Sequence, residues 1–510
     1  MTLSILIWLP LVISLIAAVF PRDVVGRFVA VASLASVGVA ISFVARFKLG
    51  HSGLQFVTDK VWISALGIHY KLGLDGLNLV LVLLTTVLFS ASLWWSSFRE
   101  WDRPRSYYFH FGLAESAVLG AFCAQDLALF VAFFDLMLIP FYFLVGMWGS
   151  GERVRATTKL VIYTLVGSFL MLAGAVATGV LVSDQTGGSL NFALSALQQV
   201  HLSHSSQDWI FLCFAVAFLV KMPLAPFHGW LADGYKSMPI PAVAVFSGVV
   251  SKVAAYGFLR IVLPLFPYAS VHFQMPMLVL CLISIGWGTM VAFTTNDARM
   301  VVAYSSVAQL SFITLGIFSL KTAGGQGALL NMVNHGLVTA PMFFIVAAAA
   351  ARAGGSEDLR EMGGIAFRAP LLALLALIVA LATLAMPGSS NFIGEFMILL
   401  GTFQAKTAVS VIAFLGVIGA AVYALRLFIT AFHNRVGRGV TSREVVVGEA
   451  VAIVPLVIVI LVLAFYPQFG LKRSEPSLRA TIAPAQAQVA AGRAAKLAAS
   501  ARGVRVVANR

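Results

Sequence analysis

The side chains that could do chemistry are ionisable groups set in apolar surroundings: Glu115, Asp135, Lys221, His228, Lys252, His335 and Glu395. Lys221 ends one apolar run and is followed by Pro223 and Pro226; the chain then returns through a second run carrying Lys252. A lysine at bilayer depth costs about 2.5–3.5 kcal/mol on insertion scales, so it is rare, faces the protein interior and generally has a task. Proline removes a backbone donor and interrupts the helix. Non-helical backbone at that depth persists only where protein or a wet cavity surrounds it. Two buried lysines around a broken helix suit an ion path better than an anchor.

Asp135 lies in FVAFFDLMLIPFYF, flanked by aromatic residues. It cannot easily reach water and needs a partner, for which Lys221 is the natural candidate. Glu395 follows a second break, Ala385-Met-Pro387-Gly388, and His335 shares its apolar helix with Asn331 and Asn334; both suit a proton relay. Glu115, in a short apolar run, is equally compatible with snorkelling to an interface. His228 suits a cap or a ring stack as well as a proton role. Such groups with water between them conduct protons, and an acid–base pair whose partner can be drawn away acts as a switch. Pro140, Pro223, Pro226, Pro239, Pro241 and Pro387 supply hinges.

These residues need elements to hold them. The chain has 510 residues, 60% hydrophobic and 11% charged, with mean hydropathy +0.95. That composition excludes a soluble domain and predicts an all-α, polytopic membrane bundle. The opening LSILIWLPLVISLIAAVF lacks a basic leader and a cleavage site, so it reads as a first span rather than a signal peptide. The net charge of +14 sits in short loops and the tail, where lipid headgroups, not nucleic acid, are the expected partner. Cys123, Cys213 and Cys281 stand apart with no CxxC spacing, so no cluster, zinc or haem site is expected.

At roughly 20 apolar residues each, the runs predict about 14 spans. Loop charges Arg22, Arg27, Arg99, Arg103, Arg105, Arg153, Arg155, Lys159, Arg352, Arg360, Arg368, Arg435, Arg438 and Arg443 predict an outside N-terminus. Both breaks carry a nearby buried charge, Lys221 in one and Glu395 in the other, which points to two inverted repeats. The expected organisation is N-terminal spans over 1–106, a first repeat over 107–265, a second over 266–435, a last span over 436–466 and a basic, Ala-rich tail over 467–510. The tail carries Lys472, Arg473, Arg479, Arg493, Lys496, Arg502, Arg505 and Arg510. It suits either a surface helix or a disordered segment.

Several stretches carry a family likeness. They are Leu74-Asp-Gly-Leu77, Asp135-Leu-Met-Leu-Ile-Pro-Phe-Tyr-Phe-Leu144, Lys221-Met-Pro-Leu-Ala-Pro-Phe-His-Gly-Trp-Leu231, Lys252 in VVSKVAAYGFLR, Asp297-Ala-Arg-Met-Val-Val-Ala-Tyr-Ser-Ser306, Asn334-His-Gly-Leu337 and Asn391-Phe-Ile-Gly-Glu-Phe396. With these, residues 70–435 resemble the antiporter-like membrane subunits of respiratory complex I, of the bacterial subunit M type, equivalent to mitochondrial chain 4. Glu395, where the paralogues usually carry lysine, favours that type.

The resemblance implies a proton-translocating, non-redox subunit of an NADH:quinone oxidoreductase in the cell inner (plasma) membrane, beside antiporter-like paralogues. Asp135 would pair with Lys221, Lys252 would be the central relay, His335 would continue the line and Glu395 would be the exit. NAD, flavin, iron–sulfur clusters and quinone would belong to partner subunits, with none bound by this chain. A Mrp-type cation/proton antiporter subunit or a membrane-bound hydrogenase component would share most of these motifs. The sequence departs from the pattern at Asp135, usually Glu; at Gln309, usually His; and at Ala232-Asp-Gly-Tyr235, where an acidic–His pair is usual.

Overall fold

Backbone polar groups inside a bilayer must be satisfied within their own segment, which makes long apolar runs helical. A computed structural model describes residues 2–437, 439–441 and 443–508. Arg438 and Arg510, and the side chains of Lys496, Arg502 and Arg505, lie outside the described residues.

The first half of the chain contains α1 (Leu3–Ala17), α2 (Val25–Arg46), β1 (Gln55–Ile63), β2 (Ile68–Leu74), α3 (Leu79–Ser97), α4 (Pro104–Cys123), α5 (Leu127–Leu136), α6 (Leu138–Trp148) and α7 (Arg153–Thr186). Next come α8 (His204–Lys221), α9 (Leu231–Ser237), α10 (Ile240–Leu265), α11 (Gln274–Thr294), α12 (Ala298–Phe318) and α13 (Thr322–Arg352). The last are α14 (Pro370–Thr383), α15 (Ser390–Ala405), α16 (Thr407–His433), α17 (Val447–Phe465) and α18 (Gln468–Ala508). Among the described residues, ten helical segments are long and apolar enough to cross a membrane, and α1 and α14 are apolar but shorter.

Both expected breaks are present. α8 stops at Lys221, and the chain turns over 222–230 before α9. α14 stops at Thr383; Ala385 (φ 53°) and Gly388 (φ 94°) then take left-handed backbone before α15. Glycine enters that region freely, which is why it stands at 388.

α10, α12 and α13 form the buried centre, and every residue of α10 from Pro241 to Leu263 is buried. α10 is not a uniform helix. Wide π turns at Phe246–Val250 and Phe258–Val262 flank the ordinary helix Ser251–Gly257 that carries Lys252. Such turns insert an extra residue per turn and occur often at functional sites.

The β1–β2 hairpin is an addition to the expected all-helical fold. It is antiparallel, with Asp59 opposite Lys71 and Val61 opposite His69. Its run of charged and β-branched residues read as loop because the apolar periodicity of a span is absent. In the tail, the helix reading holds. Ser474, Ser477, Leu478, Ile482 and Ala485 of α18 are buried, and the Gly76 amide donates to Ser477 Oγ at 3.0 Å.

Candidate functional site

Lys252 and His335 meet because α10 and α13 approach at glycines. A Cβ added to Gly336 would stand 2.5 Å from the Gly248 carbonyl oxygen, so only a residue without one permits this crossing. There Lys252 Nζ donates to the Ser247 carbonyl and lies 2.7 Å from His335 Nδ1. His335 Nε2 lies 3.1 Å from Thr339 Oγ1. An ammonium at Lys252 makes Nδ1 the acceptor and leaves the ring proton on Nε2; a neutral amine accepts from Nδ1–H instead. The pair can therefore hold a proton at either end. Lys252 is fully buried and His335 is 3% exposed, with no carboxylate in contact among the described residues.

A second hydrogen-bonded group centres on Glu395, at the start of α15. Gln309 Nε2 of α12 donates to Glu395 Oε1 at 2.8 Å. Asn331 Nδ2 donates to Gln309 Oε1 at 3.3 Å, and Asn334 Nδ2 to the Ser390 carbonyl at 2.6 Å. Gln309 thus bridges α12, α13 and α15. Glu395 Oε2, Asn331 Oδ1, Asn334 Oδ1, both amide atoms of Asn391 and Tyr423 Oη are buried without a protein partner. Buried polar atoms ordinarily have one, and ordered water supplies it where protein does not. A cavity of about 20 Å³ lined by His335, Gln309, Asn391, Tyr423, Ser305 and Thr339 joins the two groups; that is room for a water.

Lys221 and Asp135 behave differently from expectation. Lys221 is buried, at 3% exposure, but no carboxylate lies within 4.0 Å of it among the described residues. Its ammonium sits 4.9 Å from the centre of the Phe134 ring. Asp135, on the last turn of α5, is half-buried rather than enclosed, and its Oδ1 has no partner. Met137 between α5 and α6 keeps helical backbone, so Phe134 and Asp135 ride on one continuous span, and it is Phe134 that meets the lysine. His228 is half-buried against Trp287, ring centres 5.8 Å apart. Glu115 does not snorkel: it is 1% exposed in mid-α4.

Sequence reasoning overlooked two buried ion pairs. Arg260 Nη2 donates to Asp75 Oδ1 at 2.6 Å, and its Nε to Tyr256 Oη at 2.9 Å. Arg352 binds both oxygens of Glu449, at 3.0 and 2.8 Å. Both arginines stand near span ends, where loop charge is the ordinary reading; an arginine four residues after Tyr256 in an unbroken apolar run was the available signal. At the opposite end of α10, Lys236 pairs with Asp297 and Glu357, and Arg299 with Glu357. These hold α9, beyond the first break, to the loops before α12 and after α13.

Residues 124–421 match the family described as "NADH:quinone oxidoreductase/Mrp antiporter, TM". The NADH-quinone oxidoreductase subunit M of Rhodobacter capsulatus is 34% identical over 93% of this chain and 95% of that protein. A chain of respiratory complex I from Thermus thermophilus, solved with bound NADH, superposes with TM-score 0.87 at 29% identity, covering 95% of this chain and all of that one. A Mrp complex chain from Dietzia shares the fold (TM-score 0.80) at 18% identity, covering 93% of this chain and 52% of that one.

Proposed function

The chain belongs to the NADH:quinone oxidoreductase/Mrp antiporter transmembrane family, and on that premise we propose that it carries protons across the membrane as a subunit M of an NADH:quinone oxidoreductase. Quinone reduction in other subunits drives the cycle, and this chain contributes no redox group of its own. It works in the inner membrane beside other membrane subunits, with its N-terminus outside. Lys221, near the first break, exchanges charge with Asp135; Lys252 and His335 form the central relay; Glu395 is the terminal group beyond Gln309.

The observation that carries this reading is the Lys252–His335 bond at 2.7 Å in the buried centre, opening onto the polar cavity shared with Gln309. A lysine and a histidine with no carboxylate contact have little structural justification there, because such groups cost more than they stabilise unless they act. The likeness to the Mrp chain, at 18% identity, supports a common fold alone. The test uses the intact complex in liposomes. Lys252→Met should cut proton uptake by at least about 100-fold, the lower end of what a positioned acid–base group contributes, while NADH oxidation by an artificial acceptor continues. Undiminished pumping would remove Lys252 from the path.

A further inference from the structure

A second polar seam runs between α2 and α4, away from the central relay. Its wide end is a cavity of about 580 Å³ lined by Arg22, Arg27, Arg99, Arg103, Asp23, Glu100 and Asp102 with Gly26 and Tyr108. Both signs of charge line it and most of these residues are exposed, so it holds water. Arg22, Asp23 and residues 99–103 belong to the loops before α2 and α4, which loop charge places on the inner face, and Gly26, Arg27 and Tyr108 stand at the adjoining ends of those helices.

One turn deeper lies a cavity of about 10 Å³, lined by Val29, Ser33, Ser36, Gly112 and Glu115. The steps from Gly26 to Val29, Ser33 and Ser36 on α2, and from Tyr108 to Gly112 and Glu115 on α4, each follow one helix face. The small cavity thus lies on the same faces of α2 and α4 as the large one, closed on its far side by Pro10 and Ile13 of α1, and Tyr108 lines the large one on the side toward it. A Cβ on Gly26 would lie 2.6 Å from the Tyr108 hydroxyl oxygen, so glycine at 26 is what lets that hydroxyl cross the seam.

Glu115 is 1% exposed, and no hydrogen bond or ion pair reaches it among the described residues; its Oε1 and the Ser36 Oγ are both buried and unpartnered. Ser33 Oγ bonds Ser90 Oγ at 2.8 Å. A water in the small cavity has these oxygens as partners, the minimum such a site requires. A structural glutamate would be capped by hydrogen-bond donors, as Glu449 is by the Arg352 guanidinium and the Val446 amide. This one faces a small cavity shared by the two serines and the apolar side chains of Pro10, Ile13, Val29 and Leu93.

The geometry points to a lateral proton inlet that runs from the arginine-rimmed vestibule past Tyr108 to Glu115, which serves as a proton-holding group separate from the Lys252–His335 relay. In the transfer, the Tyr108 hydroxyl gives its proton toward the inner water as it takes another from the vestibule. The Glu115 carboxylate accepts the proton that arrives through the water of the small cavity and later gives the same one back to that water, so no co-reactant is needed. The inference rests on the proton-carrying role proposed above.

The experiment is carboxyl infrared spectroscopy on the purified complex, with pumping measured in parallel. A protonated carboxyl band should vanish in Glu115→Gln and persist in Tyr108→Phe. Its exchange on transfer to heavy water should slow roughly ten-fold or more in Tyr108→Phe, the scale of a lost proton-relay group. Protons pumped per electron should fall in Glu115→Gln and recover in Glu115→Asp. An exchange rate that ignores both Tyr108→Phe and Ser36→Ala would overturn the inlet, as would unchanged pumping in an assembled Glu115→Gln complex. Lys252→Met, run alongside, reports on the central relay alone. Full pumping in that variant would refute the main path whatever Glu115 does.

Discussion

Asp135 is one methylene shorter than the family's usual glutamate, and the structure shows what that removes. Its carboxylate stops short of Lys221, whose ammonium faces Phe134 at 4.9 Å instead. An added methylene extends the reach by about 1.5 Å. Asp135→Glu should therefore keep pumping intact and draw the carboxylate toward Lys221; a proton-to-electron ratio measured in liposomes checks it. Complete loss of pumping would mean that the pocket is built around aspartate. Gln309 is a different departure. It can donate to Glu395 and accept from Asn331 at once, which a single imidazole nitrogen cannot, but it cannot hold a proton.

The residues proposed for the central relay were conspicuous in the sequence because an ionisable side chain in an apolar run stands out. Lys252, His335 and Glu395 all fall on the polar line. The partnership of Asp135 was not legible, because a run of sequence does not show which residue of one helix, Phe134 or Asp135, will face a lysine on another. Asp75 was invisible as a partner for Arg260, 185 positions away, since nothing in periodicity links a loop carboxylate to a distant guanidinium.

At the scale of elements, the second break rests on left-handed backbone at Ala385 and Gly388. Gly388 has φ 94°, which a β-branched residue reaches only with strain of about 1–3 kcal/mol. Gly388→Val should loosen the start of α15 and weaken the hold on Glu395, and faster amide exchange over Ser389–Gly394 would reveal it. The hairpin makes a prediction about pH. Burial pushes the Asp59 carboxyl up, but the His69 hydrogen bond and the Lys71 charge outweigh it and hold it below its ordinary value of 3.8. A depressed carboxyl stabilises the folded state above its unfolded value, and that contribution is lost as pH falls through the lower, folded one. Amide protection across β1–β2 should accordingly be steady from neutrality down to about pH 4 and decline below it. The span helices were readable from apolar length alone. The hairpin was not, because its strands are short and half-exposed, and its partners are each other.

For the molecule as a whole, the Arg352–Glu449 pair ties the end of α13 to the start of α17. Arg352 is 1% exposed. Removing one member of such a pair strands the other charge and costs about 3–5 kcal/mol. Arg352→Met should lower the melting temperature of the purified protein, and Arg352→Met combined with Glu449→Gln should recover most of the loss. Recovery is expected because glutamine carries no stranded charge and can still accept the Val446 amide hydrogen bond that Glu449 takes now. That the chain is a bundle of membrane-length helices followed from composition, and the two interruptions from their prolines and Gly388; among the described residues ten segments, not the expected 14, are long and apolar enough to span. What composition could not supply was which charges serve as rivets, since a rivet and a relay are the same residue types in the same apolar setting, told apart only by contact.

The two wide turns in α10 bear on how Lys252 could change partners. Both ends of that helix are tethered: Arg260 to Asp75, and the segment before Pro239 through Lys236 to Asp297 and Glu357. A uniform rod fixed at both ends can neither slide nor spin. Five surplus-width residues on either side of Ser251–Gly257 make the middle a spindle between two bearings. Passage of the Phe246–Val250 bulge across Ser251 and Lys252 would swing the lysine through about 100° while the ends of the shaft stay put.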